Sequence, residues 1–479
     1  MISSPKSSAF QQAYSDQLRS HYDVAPIKQS WAARGYYAWL AHYYNLIIPK
    51  DAIVLEIGCG SGELLARLNT RNVIGVDLSE VQLQAARKKI PYGVFIQEAG
   101  ETVRLNQKVD YIIVSDAINY VMDVQDLFIH LRSIVGPETR LVVNFHSAVW
   151  KPILSFATFF GLRTIQHQCS WLATPDVKNL MALSDWEVVK TDGRLLVPFP
   201  LLGIDRLVNR WISPLISWLC LGVFCVARVK TENAPKHNKP LPKVSVVIPA
   251  RNEAGNIEAA VLRTPEMGSS TELIFVEGGS KDNTWAEIER VKRDYPNREI
   301  KILKQTGKGK GDAVRAGYAV ATGDILMILD ADLTMPPEDL VKFYAVLESG
   351  KAEFANGVRL VYPMEKEAMR FLNLCANKFF SITFSWLLGQ SVKDTLCGTK
   401  VLWKKDYERI AANRSFFGDF DPFGDFDLLF GAAKANLHIM DIPIRYRDRT
   451  YGSTNINRWS HGLLLLRMVI FAARKLKFV

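Results

Sequence analysis

The sequence predicts two doubly wound α/β domains in one chain. Three observations carry this. Strand-like apolar runs alternate with helical patterns twice, over residues 52–145 and again over 243–358. A polar, proline-rich stretch at 230–242 separates the two series. Two different ligand-binding signatures, Glu56-Ile-Gly-Cys-Gly-Ser-Gly62 and Asp330-Ala-Asp332, each stand at the end of an apolar run, where open parallel sheets bind ligands. The expected organisation is a domain at 1–229, a linker at 230–242 and a second domain at 243–479. With 479 residues, 48% apolar and 23% charged, the chain has ordinary globular composition, which argues against long disorder.

In chain order, residues 1–50 carry Trp31, Tyr36, Tyr37, Trp39, Tyr43 and Tyr44 and read as a helical lid on the first sheet. Strands are expected at 52–57, 72–76, 93–96, 111–114 and 140–145. The stretch 211–227 is almost uncharged but short and contains Pro214. It reads either as a membrane-dipping element or as a helix followed by a buried strand at 219–229. After the linker, strands are expected at 243–249, 272–277, 300–304, 324–329 and 354–358.

In the first series, glycines recur at every second position, Gly58, Gly60 and Gly62, between a strand and a helix. They allow a tight turn and a close approach to a ligand. Alone, that pattern would serve a dinucleotide equally well. Glu56 shifts the balance, because a carboxylate there suits a cationic amine better than a pyrophosphate. Asp77, followed by Leu78, ends the next strand, placed to accept ribose hydroxyls. Glu98-Ala99 ends a third strand and Asp116 a fourth. Together these residues resemble class I S-adenosylmethionine-dependent methyltransferases of Rossmann-like fold, over about residues 50–150. The resemblance implies Glu56, Gly58, Gly60, Gly62, Asp77, Leu78, Glu98, Ala99 and Asp116 as the binding set for S-adenosyl-L-methionine, with Glu98 near the adenine. Where many relatives continue into a Glu-His pair, this chain reads Ser115-Asp116-Ala-Ile-Asn119-Tyr120. Tyr120 and His146 are candidate bases, with a structural role open for each.

The second series opens with Val244-Ser-Val-Val-Ile-Pro249-Ala-Arg251-Asn252-Glu253. It continues through Glu277-Gly278-Gly-Ser280-Lys-Asp282, the loop Gly307-Lys-Gly-Lys310-Gly311 and the Asp330/Asp332 pair. Four ordered blocks resemble glycosyltransferase family 2 of the GT-A fold, nearest to polyprenyl- and dolichyl-phosphate sugar synthases. The resemblance implies a nucleoside-diphosphate sugar held by Pro249, Arg251, Glu253, Glu277, Lys310 and Asp330. It also implies Mg2+ or Mn2+ on Asp330 and Asp332. Relatives usually have two aspartates where this chain has Glu277-Gly278, which leaves the choice of GDP or UDP open. Arg359, Arg370 and Arg449 match arginines that hold the acceptor phosphate in the lipid-phosphate synthases, and guanidinium suits a phosphate. Asp425 and Asp427 are either a base for a hydroxyl acceptor or helix N-terminal carboxylates.

Net charge is +10, and residues 445–479 hold eight Lys/Arg against one Asp. The cations interleave with Leu463 to Leu466 and Ile470, which predicts an amphipathic helix lying on a membrane surface. Their neighbours are aliphatic rather than stacking aromatics, which argues against nucleic acid. Six cysteines without metal-like spacing read as reduced thiols. The expected protein is a bifunctional transferase, cytoplasmic and peripheral on the inner membrane face. It uses a nucleoside-diphosphate sugar and a polyprenyl phosphate or lipid-linked acceptor. The alternatives are a transferase acting on a saccharide hydroxyl and a methyltransferase-like domain serving as a scaffold.

Overall fold

The computed structural model describes residues 9–24, 30–160, 171–231, 240–359, 371–414, 425–447, 449, 451 and 458–479. They form two compact units, one running to Lys230 and one from Thr231 to Lys477.

The first unit is built on a seven-stranded sheet. Its strands are β1 (Val54–Ile57), β2 (Val73–Asp77), β3 (Val94–Gln97), β4 (Tyr111–Ser115), β5 (Arg140–His146), β6 (Trp186–Arg194) and β7 (Gly222–Val229). Their order is β3-β2-β1-β4-β5-β7-β6. The first five are parallel, and β7 runs antiparallel between β5 and β6. The five expected strands lie within two residues of those observed. All four residues of β1 are buried, as a parallel strand covered on both faces requires. β6 went unrecognised because Glu187, Lys190, Asp192 and Arg194 give it the polar look of an edge strand. All eight residues of β7 are buried, Phe224 and Val226 in one core with Tyr43 and Tyr44 and Val223, Cys225 and Ala227 in another with Val177 and Met181, which accounts for the apolar end of stretch 211–227.

Two helices, Ala9–Asp23 and Trp31–Ile47, precede the sheet. Ser30 starts the second by accepting the Ala33 N–H through its hydroxyl at 3.2 Å. Leu40, Ala41, Tyr43 and Tyr44 on its inner face join a core with Leu64, Leu65, Val73 and Phe224.

The second unit has its own seven-stranded sheet. The strands are β8 (Val244–Ala250), β9 (Thr271–Glu277), β10 (Glu299–Lys304), β11 (Ile325–Ile328), β12 (Phe354–Val358), β13 (Lys400–Trp403) and β14 (Ile439–Pro443). The order is β10-β9-β8-β11-β13-β12-β14. β8 to β11 are mutually parallel where they pair, and β13 is antiparallel to both β11 and β12. β13 and β14 went unrecognised because polar or strand-breaking residues interrupt them, Asp441 and Pro443 in β14. β13 opens on Lys400, fully buried with its ammonium donating to the Cys397 carbonyl. Among the described residues no helix is long and apolar enough to cross a membrane. Cys59, Cys220, Cys225 and Cys397 are free and buried.

Among the parallel strands of each sheet the order reverses between β1 and β4 and between β8 and β11. Crossovers leave such a point in opposite directions and open a crevice at the carboxyl ends. The helix Lys310–Val320 flanks the second crevice and lies tight on β8. A Cβ on Gly317 would stand 2.4 Å from Val247 Cγ1. Gly317→Val is expected to push this helix away and to destabilise the second unit by about 1–3 kcal/mol. A lowered urea midpoint for that unit checks this, and an unchanged midpoint shows that the helix can shift freely.

Candidate active sites

In the first unit β1 runs into a turn in which Gly58, Gly60 and Gly62 have φ of +73°, +52° and +72°. Side-chain-bearing residues seldom adopt that conformation. Asp77, ending the neighbouring β2, holds the turn in place. One carboxylate oxygen accepts the Gly60 N–H at 2.8 Å and the other the Ser79 N–H at 2.9 Å. A Cβ on Gly60 would meet nothing within 4 Å, so open space lies beside the turn. The helix Ala9–Asp23 reaches over this edge. Tyr14 donates to the Tyr120 carbonyl beyond β4 at 3.0 Å, and Asp23 accepts from the Ser79 hydroxyl beyond β2 at 2.5 Å. Next to the turn, Leu78 accepts from the Gln97 side chain, and the Glu98 N–H donates to the Asp77 carbonyl at 3.2 Å. Ala99 turns the chain after β3 by accepting the Thr102 and Val103 N–H groups.

Glu56 is 3% exposed, and its Oε2 is buried without a hydrogen-bond partner. Burial, then Asp77 and Asp116, push its carboxyl well above the usual carboxylate range. A buried carboxylate with an unmatched oxygen is costly, and a cationic ligand would relieve it. Asp116, at φ +51°, accepts from the Tyr36 hydroxyl and from Asn144 Nδ2, both at 2.8 Å. Tyr44 donates to Asn144 Oδ1 at 2.6 Å, and the Tyr36 hydroxyl stands 3.3 Å from His146 Nε2. His146 therefore joins the Asp116 cluster. Tyr120 instead supplies a carbonyl to Tyr14 and packs its ring edge-on against Tyr22. Sequence reasoning missed Tyr36, Tyr44 and Asn144. The available signal was the eight-residue spacing of the two tyrosines, which puts them on one helix face.

Because the Glu56 carboxyl is raised in the fold, its favourable contribution is complete below the ordinary carboxylate range and is lost as pH climbs through the raised value. Glu56→Gln is expected to raise the ligand-free Tm of the first unit, more at about pH 8 than at about pH 5. Thermal melts at the two pH values check this, and an equal or lowered Tm at the higher pH contradicts it.

In the second unit two groups of opposite charges lie at the crevice. Lys310, on the first turn of its helix, pairs with Asp330 at 2.6 Å. Arg449 pairs with Asp332 at 2.6 Å and with Glu253 at 2.9 Å. Asp332 also accepts the Thr334 N–H and hydroxyl, and Glu253 accepts from Asn256. The structure thus brings together Glu253, Lys310, Asp330, Asp332 and Arg449 from four separate stretches of sequence. Gly398 closes one side. A Cβ there would fall 2.1 Å from both Asp330 Oδ2 and Lys310 Nζ. Among the described residues no group of three or more His, Cys, Asp and Glu forms a ready metal cage. The donors at hand are the two carboxylates Asp330 and Asp332, oxygen ligands of the kind a hard cation takes.

The loops after β8 and β9 are laced together. Pro249 lies within β8, and Arg251 follows it exposed. Asn252, at φ +57°, donates its N–H to the Ser280 hydroxyl and accepts the Lys281 N–H. Glu277 accepts the Ser280 N–H, and Asp282 accepts the Thr284 N–H and hydroxyl. Tyr451 donates to Asp282 at 3.3 Å. Asn252, Asp282 and Gly398 are further residues of this crevice that the sequence reading passed over.

Other expected residues lie differently. Arg359 grips the buried Asp394 with two parallel bonds of 2.7 and 2.9 Å and stacks by Tyr446. Its Nε and Nη2 are thus taken by a carboxylate. Asp427, 8% exposed, accepts from Arg414 at 2.9 Å. Asp425 opens the helix Asp425–Lys434, and its side chain lies outside the described residues, as does Arg370.

Residues 245–410 match the family profile of glycosyl transferase family 2, and residues 30–191 match that of a methyltransferase domain. Each match falls within one of the two units, so the chain carries a region that matches a methyltransferase domain and a region that matches glycosyl transferase family 2, each on its own seven-stranded sheet. Among curated relatives, the chain is similar to a dolichol-phosphate mannosyltransferase of Pyrococcus furiosus. Identity is 31% over 176 residues, 36% of this chain and 49% of the relative. It is also similar to an undecaprenyl-phosphate 4-deoxy-4-formamido-L-arabinose transferase of Yersinia pestis, 35% identical over 117 residues, 24% of this chain and 36% of the relative. The chain spans half or less of the length of these relatives. A solved S-adenosylmethionine-dependent methyltransferase from Thermotoga maritima, a possible histamine N-methyltransferase, aligns at 17% identity. That alignment has a TM-score of 0.34 and covers 46% of this chain and 99% of the other.

Proposed function

We propose that the chain is a bifunctional transferase. The second unit moves a sugar from a nucleoside-diphosphate sugar to a polyprenyl phosphate or lipid-linked acceptor. The first moves a methyl group from S-adenosylmethionine to an acceptor in the same glycan or glycolipid pathway. The observation that carries the reading is the Lys310–Asp330 and Asp332–Arg449–Glu253 cluster in the crevice of a family 2 domain. The names of its relatives, which specify dolichol phosphate and undecaprenyl phosphate, support the acceptor class.

In the sugar transfer, the bond from the anomeric carbon to the diphosphate breaks and a bond to the acceptor oxygen forms. Mg2+ or Mn2+, held by Asp330 and Asp332, would supply charge neutralisation for the departing diphosphate. Lys310 holds a positive charge at the same carboxylate and serves as a phosphate contact. Arg449 is the arginine we assign to the acceptor phosphate, since it stands beside Asp332 in the crevice. A phosphate acceptor is already ionised and needs no base. The Asp427–Arg414 pair favours a structural role for Asp427 over the saccharide-hydroxyl alternative. We assign the protein to the cytoplasmic membrane face, where a nucleoside-diphosphate sugar and such an acceptor would meet. The helix Arg458–Leu476, which exposes Leu466 and Ile470 beside Arg467, supports a peripheral contact.

In the methyl transfer, the unmatched oxygen of Glu56 suits the cationic end of the methyl donor. Asp77 uses one lone pair of each oxygen on backbone N–H groups and keeps others for ribose hydroxyls. Glu98, Leu78 and Ala99 line the adenine side. His146, beside Tyr36 and Asp116, is the group we assign to take a proton from the methyl acceptor.

For the sugar transfer, Asp330→Asn and Asp332→Asn are each expected to lower metal-dependent release of nucleoside diphosphate by about 100-fold or more. The assay uses a panel of sugar nucleotides with short polyprenyl phosphates, with products identified by mass. Undiminished turnover by either variant removes the metal assignment. For the methyl transfer, calorimetry is expected to show S-adenosylmethionine binding that releases protons and tightens as pH rises through the raised Glu56 value. Asp77→Ala is expected to weaken it by about 1–3 kcal/mol. No heat from the wild type refutes this reading of the first unit.

A further inference from the structure

The first unit exposes apolar side chains that its core does not use. The helix Lys151–Phe159 buries none of its residues, with Phe156 64% and Phe159 84% exposed. The segment before β7 exposes Leu202, Leu207, Leu215 and Trp218 at 100%, 62%, 64% and 70%. Hydrogen bonds anchor the two segments to each other. Trp150 Nε1 donates to the Leu219 carbonyl and the Ser147 N–H to the Leu221 carbonyl, both at 2.7 Å.

Their place in the fold is the carboxyl edge that carries the methyl-donor crevice. Ser147 directly follows His146, the last residue of β5. On the other side, a Cβ on Gly35 would lie 2.4 Å from Pro200, and Trp39 donates to Asp205 at 3.3 Å. Gly35 and Trp39 flank Tyr36, whose hydroxyl meets Asp116. The apolar surface therefore borders the crevice.

Its charge pattern selects the partner. Residues 147–160 contain no Asp or Glu, and residues 195–221 contain only Asp205. Asp205 is 5% exposed, turned inward to Trp39 and the Leu201 N–H. Lys151 and Arg206 are exposed in the same segments. Aliphatic, phenyl and indole groups with cations and no exposed carboxylate match an anionic lipid surface, where apolar groups enter the interface and cations meet phosphates.

We propose that this surface docks the first unit onto an anionic lipid bilayer and presents its crevice to a membrane-borne methyl acceptor. The docking stands by itself, and the lipid-linked acceptor rests on the methyl-transfer reading above.

The full chain is floated with phosphatidylcholine vesicles with and without phosphatidylglycerol. The variants are Phe159→Glu/Leu202→Glu/Trp218→Glu and, as a milder second test, Lys151→Glu/Arg206→Glu. The wild type is expected to float with the phosphatidylglycerol vesicles. The triple variant should lose about tenfold or more in apparent affinity, and the charge variant should lose its preference for phosphatidylglycerol. S-adenosylmethionine binding should be the same in all three. Equal flotation of wild type and triple variant overturns the proposal, as does a wild type that never floats. A triple variant that changes only the oligomeric state in light scattering also overturns it, by making the surface a subunit interface. Failure of S-adenosylmethionine to bind the wild type sinks the methyl-transfer reading while leaving the vesicle result to stand.

Discussion

Both units depend on one constraint of parallel sheets. Where two neighbouring strands send their crossovers to opposite faces, the carboxyl edge opens and backbone N–H groups there lose their ladder partners. Something polar must satisfy them. In the first unit Asp77 takes the Gly60 and Ser79 N–H groups. In the second Asp332 takes that of Thr334, and Asp282 that of Thr284. The carboxylates that stabilise the loops are the same groups to which we assign ligand contacts, so on that reading fold and site cannot be changed independently.

The two crevices differ in how their charges are balanced, and this separates their ligands. In the first, burial together with Asp77 and Asp116 makes ionisation of Glu56 costly, and one Glu56 oxygen stays unmatched. Such a pocket favours a cationic guest. In the second, Lys310 and Arg449 are threaded between Asp330, Asp332 and Glu253. On the proposed reading, a diphosphate and its counterion would exchange partners with these pairs at modest electrostatic cost, since each charge already has an opposite neighbour. Covalent linkage of the units raises the local concentration of one activity near the other.

Much of both sheets was legible in the sequence because a parallel strand covered on both faces must be a short continuous apolar run. The strands that escaped notice are those freed from that rule. β6 has one edge free and carries alternating charges, while β13 opens on a buried lysine whose ammonium is satisfied by a carbonyl. The glycine turn and the Asp330/Asp332 spacing were legible for a related reason. Tight backbone geometry and paired carboxylates leave local marks at fixed spacing.

Which groups meet across the crevices was a matter of tertiary structure. Tyr36 reaches Asp116 across 80 residues and Arg449 reaches Glu253 across 196, and no local periodicity encodes such a pairing. Arginines of equal standing in the sequence were sorted only by the fold. Arg449 enters the acidic cluster of Asp332 and Glu253, while Arg359 pairs with the buried Asp394. The sequence by itself determined the two sheets, their division by a polar linker and the acidic strand ends, because those rest on short-range pattern. The fold alone decided which charge neutralises which, because a long side chain takes whatever partner three-dimensional packing brings within reach.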